Sequence, residues 1–208
     1  MSGPTVLFGG TFDPVHNAHL TVARAALEKF HPRRILFIPA AHPPHKGGRA
    51  TASFEDRARM LDLACGSEPR FEVSRIEAPC GPDSTPSYSF LTIERLLAAG
   101  EGPLLFLIGA DAFAEIRAWY RWQEVIRLVE FIVVTRPGSH YEVPPGAIVH
   151  ELAGLQLPES SSEIRDLLAR GAEVVAVPEP VQRWITEHQL YRSAHCNHGS
   201  HSQILKIN

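Results

Sequence analysis

Apolar residues fall in short runs separated by stretches of helical period. Residues 5–8, 35–38, 71–76, 104–108 and 131–135 each read as a strand. The runs at 104–108 and 131–135 carry no polar alternation, the pattern of strands covered on both faces. Residues 17–30, 53–65, 89–99 and 163–169 read as helices. Ser53 and Asp56 form a candidate cap pair at one start, and Gly100 closes another helix. Strand and helix alternation of this kind predicts an α/β fold, a doubly wound, Rossmann-like parallel sheet with helices on both faces. A small helical part is expected at the C-terminal end.

One domain is expected over residues 1–192, with 158–192 as its helical C-terminal part and 193–208 as a loosely held tail. The segments 39–51 and 77–86 are rich in Gly, Pro and polar residues and read as loops. No internal repeat is visible. Ligands in doubly wound sheets bind outside the carboxyl ends of the strands, so the segments after each strand are the ones to search.

Composition narrows the function classes. Of the 208 residues, 44% are apolar and 21% charged, and the formal net charge is −3. No global basic field points to nucleic acid, and no stretch approaches the ~20 apolar residues of a membrane helix. The start, MSGPTVLFGG, lacks the basic region of a signal peptide. Cys65, Cys80 and Cys196 show no metal-ligand spacing and cannot all pair within one chain, so a reduced, cytoplasmic setting is expected. The tail residues His195, Cys196, His198 and His201 are read as a disordered end rather than a metal site. The sequence leaves a homo-oligomer open.

The first candidate for chemistry follows the first strand: Gly9, Gly10, Thr11, Phe12, Asp13, Pro14, Val15, His16, Asn17, Ala18, His19. Paired glycines let backbone approach a ligand. The helix start that follows offers free N–H groups to an anion. His16 and His19, spaced i, i+3, share one helix face and can both donate to a phosphate. An isolated pair of this spacing is more often a cap and a core residue; the Gly-Gly turn after a strand reverses that balance here. No third ligand nearby supports zinc.

This stretch resembles the first signature of the adenylyl- and cytidylyltransferase superfamily, which includes the nicotinate mononucleotide adenylyltransferases. Ala18 stands where that family has Gly. Ser160, Ser161, Ser162, Ile164 and Arg165 are similar to its second signature, with Glu159 and Ser162 departing from it. By themselves these serines could simply cap a helix, with Arg165 solvated. The resemblance implies instead that they hold the β- and γ-phosphates of ATP. It also implies that His45 and Lys46, in H-P-P-H-K, approach the ATP phosphates, and that Arg136, in T-R-P-G, lies near adenine.

Residues 86–92, P-S-Y-S-F-L-T, resemble the segment with which nicotinate-type enzymes hold the pyridine carboxylate through backbone N–H groups. Tyr88, Ser89 and Thr92 are therefore acceptor-site candidates. Gly109 and Asp111 follow a strand, where a carboxylate can bind ribose or cap the next helix. Trp119 is a candidate to stack on a pyridine ring and the Tyr120 backbone to donate to its carboxylate. Trp122 reads as core.

The resemblance spans residues 6–191 and implies transfer of AMP from ATP to nicotinate mononucleotide, a step of NAD synthesis. Both substrates are small molecules, and Mg²⁺ is expected to arrive with ATP. The alternatives are a relative using nicotinamide mononucleotide or another acceptor such as phosphopantetheine, and a nucleotide-binding sensor without catalysis. Phosphopantetheine enzymes usually carry Thr at the position of His16, and a sensor would be favoured by loss of a histidine or Arg165.

Overall fold

A computed structural model of the chain describes residues 3–43, 50–79, 86–155, 157, 160–172 and 174–192. Its centre is a six-stranded sheet in the order β3-β2-β1-β4-β5-β6, parallel at every pairing. The strands are β1 (Thr5–Gly10), β2 (Arg34–Pro39), β3 (Phe71–Val73), β4 (Leu104–Gly109), β5 (Glu130–Val134) and β6 (Val149–Leu152). The helices are α1 (Asn17–Phe30), α2 (Phe54–Cys65), α3 (Ser89–Ala98), α4 (Ala110–Ala114), α5 (Trp122–Leu128), α6 (Ser161–Ala169) and α7 (Glu179–Glu187), with a 3-10 turn at Ile116–Ala118.

Alternation along the central strands divides the core in two. Val6, Leu105, Leu107, Ile132 and Val134 face a layer built from α1, α2, α6 and α7. Leu7, Phe106, Ile108, Phe131 and Val133 face α3, α4 and α5. Both faces are thus covered, which is why these strands read as continuous apolar runs.

Differences from expectation are local. The strand expected over 71–76 ends at Val73, because Ser74 turns: its N–H donates to the Phe37 carbonyl and its Oγ accepts from Ile76 N–H. β6 was not anticipated, since V-H-E-L on a half-exposed edge carries no apolar run. The second-loop helix begins at Ser161 rather than Glu163, with Ser160 Oγ capping it by accepting from Glu163 N–H at 3.2 Å. Ser53 caps α2 in the same way, through Asp56 N–H. Among the described residues no helix is long and apolar enough to cross a membrane.

Candidate active site

β1 and β4 lie side by side where the strand order reverses, and the loops leaving them diverge to open a crevice. The loop after β1 is unusually bent. Phe12 has φ of 50°, in the left-handed region that β-carbon sterics disfavour. This turns its ring back beneath Gly10, where an added Cβ would meet the Phe12 ring at 3.0 Å. The ring also lies 5.5 Å from Phe8, 5.8 Å from Phe37 and 5.0 Å from His19, centroid to centroid.

His16 is the N-cap of α1 and only 5% exposed. Its ring lies 3.8 Å from that of His19. The His16 N–H donates to His19 Nδ1 at 3.2 Å. A nitrogen that accepts carries no proton, so the neutral His19 ring holds its hydrogen on Nε2 as a donor.

The helix start itself corrects an expectation. The Asn17 N–H donates to the Ala176 carbonyl at 2.8 Å, and His19 N–H to the His16 carbonyl at 3.0 Å. Two of the donors that an anion would use at α1 are therefore already engaged within the protein. Ala18 is 7% exposed and lines the adjoining cleft, so its methyl narrows the space rather than blocking it.

The second loop meets the first. Arg165 Nη1 donates to the Asp13 carbonyl at 2.7 Å and Nη2 to Ser162 Oγ at 3.2 Å, while Ser161 Oγ donates to the Pro14 carbonyl at 3.4 Å. The arginine expected to grip phosphate thus also ties the two signatures together.

Two clefts flank a shared wall of Phe8, Ile108 and Gly109. The first, of about 300 Å³, is lined by His16, His19, Asp111, Arg136 and Ser160. Gly109 is the N-cap of α4, so Asp111 is not the cap and its carboxylate is exposed at the cleft. The second, of about 390 Å³, is lined by Gly9, Gly10, Thr11, Tyr88, Ser89, Trp119 and Tyr120. Among the described residues the backbone N–H groups of Ser89 and Tyr120 have no protein acceptor. Trp119 lies edge-on to Phe106 at 5.6 Å, and Tyr120 stacks on Tyr88 at 4.7 Å. Trp122 packs against the core, as expected.

Thr92 stands elsewhere. It is buried on α3, away from the second cleft, and donates to Glu77 Oε1 at 2.5 Å. Glu77 lines that cleft and was not singled out in the sequence. Also missed were Asp13, Arg57 and Tyr191, which meet behind the first loop. The Asp13 carboxylate accepts from Thr51 N–H, Ala52 N–H and Tyr191 Oη–H at 2.6, 3.1 and 2.7 Å. Arg57, 1% exposed, donates to the Thr11 carbonyl at 2.7 Å. Burial lowers the Arg57 pKa, against the opposing pull of Asp13; burial and the Asp13 charge raise that of Tyr191. The one visible signal was a charged residue on the apolar face of α2, at i, i+4 with Leu61. His45, Lys46, Glu159 and the tail lie outside the described residues.

Residues 7–167 match the family model described as cytidylyltransferase-like, which places the chain among the nucleotidyltransferases. It is 52% identical over 188 residues to the probable nicotinate-nucleotide adenylyltransferase of Solibacter usitatus (strain Ellin6076), covering 89% of this chain and 97% of that one. It is 39% identical to the probable nicotinate-nucleotide adenylyltransferase of Geobacillus kaustophilus (strain HTA426), over 91% of this chain and 86% of that one. The chain belongs to the nicotinate-nucleotide adenylyltransferase family. Its fold is that of the Plasmodium falciparum nicotinic acid mononucleotide adenylyltransferase solved in complex with NaAD, with a TM-score of 0.72 at 17% identity, covering 91% of this chain and 98% of that one.

Proposed function

We infer that the chain transfers AMP from ATP to nicotinate mononucleotide, forming nicotinate adenine dinucleotide and pyrophosphate in NAD synthesis. The observation that carries this is the pair of clefts meeting at Phe8 and Gly109, with the histidine pair on one side and, on the other, N–H groups that have no acceptor among the described residues.

The adenosine part occupies the first cleft, with Asp111 at a ribose hydroxyl and Arg136 near adenine. The acceptor lies in the second, its carboxylate against the Ser89 and Tyr120 N–H groups and its ring beside Trp119. Both reacting phosphates then converge on the loop 9–16.

The acceptor's 5′-phosphate attacks the α-phosphorus of ATP; the new P–O bond forms as the bond to pyrophosphate breaks. A phosphate monoester has a second pKa near ~6 and is a dianion at neutral pH, so no protein base is needed. Positioning and charge stabilisation supply the rate. His16 and His19 donate to the phosphates around the α-phosphorus, with Thr11 and Phe12 N–H groups beside them. Ser160, Ser161, Ser162 and Arg165 hold the β- and γ-phosphates. By resemblance, His45 and Lys46 join them. Mg²⁺ enters as part of the Mg-ATP substrate.

The test is to incubate the protein with Mg-ATP and, separately, nicotinate mononucleotide, nicotinamide mononucleotide and phosphopantetheine, measuring pyrophosphate release. Release only with one of the latter two would replace this reading.

A further inference from the structure

Past Gly10 the loop 11–16 leaves the strand ladder, and the carbonyl oxygens from Gly10 onward reveal how it is held. Gly10 O accepts from Ala40 N–H at 2.9 Å, Thr11 O from Arg57, Asp13 O from Arg165, and Pro14 O from Ser161. These oxygens are bonded to β2's exit, α2 and α6, so each is satisfied within the protein and ties the loop to a different element. The two arginine contacts flank Phe12, the residue held in the left-handed region. A non-glycine residue there is disfavoured and persists only where its surroundings fix it. The fixed ring in turn packs against His19.

Asp13 extends this arrangement across the chain. Its carboxylate, 4% exposed, is spanned by two N–H groups from Thr51 and Ala52 and by the Tyr191 hydroxyl, 178 positions away and beyond α7. A buried carboxylate with three donors is a rigid junction, and removing one donor leaves part of its desolvation uncompensated.

We propose that Asp13, Arg57 and Tyr191 are positioning residues for adenylyl transfer, acting through the bent Phe12 on His19, so that the segment after α7 belongs to the machinery of the first loop. None of the three lines either cleft. Their effect is therefore on the placement of transition-state donors, not on substrate affinity. The proposal rests on His19 being a phosphate donor.

Tyr191→Phe removes only the hydroxyl. It lowers kcat about tenfold, since sub-ångström displacement of a catalytic donor carries losses of that order, while KM for both substrates stays within about threefold. The deciding measurement is a double-mutant cycle with His19→Ala. If Tyr191 acts through His19, its substitution has little further effect on kcat in the His19→Ala background. Equal factors in both backgrounds, or a Tyr191→Phe kcat within twofold of native, overturn the proposal even if the melting temperature falls. Should Tyr191→Phe not give a folded chain by far-ultraviolet circular dichroism, Arg57→Lys carries the same cycle. Near-native turnover in His19→Ala alone removes the site assignment and this proposal with it, whereas an inactive native protein would point at the reaction itself.

Discussion

The backbone N–H of His16 donates to Nδ1 of His19 at 3.2 Å, and the two rings lie 3.8 Å apart. One contact therefore does two things. It closes the first turn of α1, and it fixes which nitrogen of the neutral His19 ring carries the proton.

Replacing either histidine by alanine should lower kcat by ~10²–10³, the usual loss for one donor to a developing charge. His19→Ala also removes the acceptor that caps α1, at about 1 kcal/mol. Urea unfolding and steady-state kinetics separate the two effects. Turnover close to native in both variants would sink the assignment.

Arg165 bridges the Asp13 carbonyl and Ser162 Oγ. Arg165→Ala should raise KM for ATP by at least ~10-fold, as expected of a lost charge-assisted contact, and leave KM for the mononucleotide much less changed. Arg165→Lys should not restore it, because a single ammonium cannot span the two loops as a planar fork does. Equal changes in both KM values would place Arg165 elsewhere.

An added methyl at Gly10 meets the Phe12 ring at 3.0 Å. Gly10→Ala should destabilise the fold by about 1–3 kcal/mol, the range for overpacking, and reduce kcat as Phe12 shifts against His19. Unchanged stability and turnover would show that Phe12 moves freely.

The second cleft, proposed above as the acceptor's, offers N–H donors from Ser89 and Tyr120, so an acid is expected to fit where an amide would oppose donor to donor. With ~1–3 kcal/mol for each mismatched bond, kcat/KM should favour nicotinate over nicotinamide mononucleotide by at least ~10²-fold. Comparable values would falsify the pocket while leaving adenylyl transfer in place.

Burial raises the Cys65 thiol from 9.0 to about 12, with the Asp62 charge adding to it, and the Tyr191 hydroxyl is raised as well. Both groups stay neutral in the folded chain at pH values where the unfolded chain ionises them. The Cys65 contribution is complete below pH 9 and is lost progressively between pH 9 and about 12, while that of Tyr191 begins to fall only above pH 10. Urea midpoints should fall over that window, and less steeply in Cys65→Ala. An identical slope in that variant would contradict the assignment.

The central sheet was legible because residues such as Leu105 and Phe106 alternate between two apolar layers, leaving no polar position to interrupt the run. β6 was not, because the half-buried His150 and the exposed Glu151 are polar positions on an edge strand and hide the pattern. The paired histidines could be read from spacing and the turn before them. Thr92 could not be separated from Ser89 by sequence, since only the rotation of α3 puts one in the cleft and the other behind Glu77. Asp13 was visible inside a signature but not interpretable, because two of its partners arrive from residues 51–52 and the third from residue 191. Sequence spacing carries local geometry well and says nothing of such meetings.

The wall shared by the two clefts also governs what happens after bond formation. Before the reaction each half of the substrate pair can leave alone. In the placement proposed above, the halves are afterwards one molecule spanning Phe8 and Gly109, and a ligand held at two linked sites dissociates more slowly than from either. The compactness that brings two phosphates together thus turns the dinucleotide into a bidentate ligand of its own birthplace, and opening one cleft is not enough to release it.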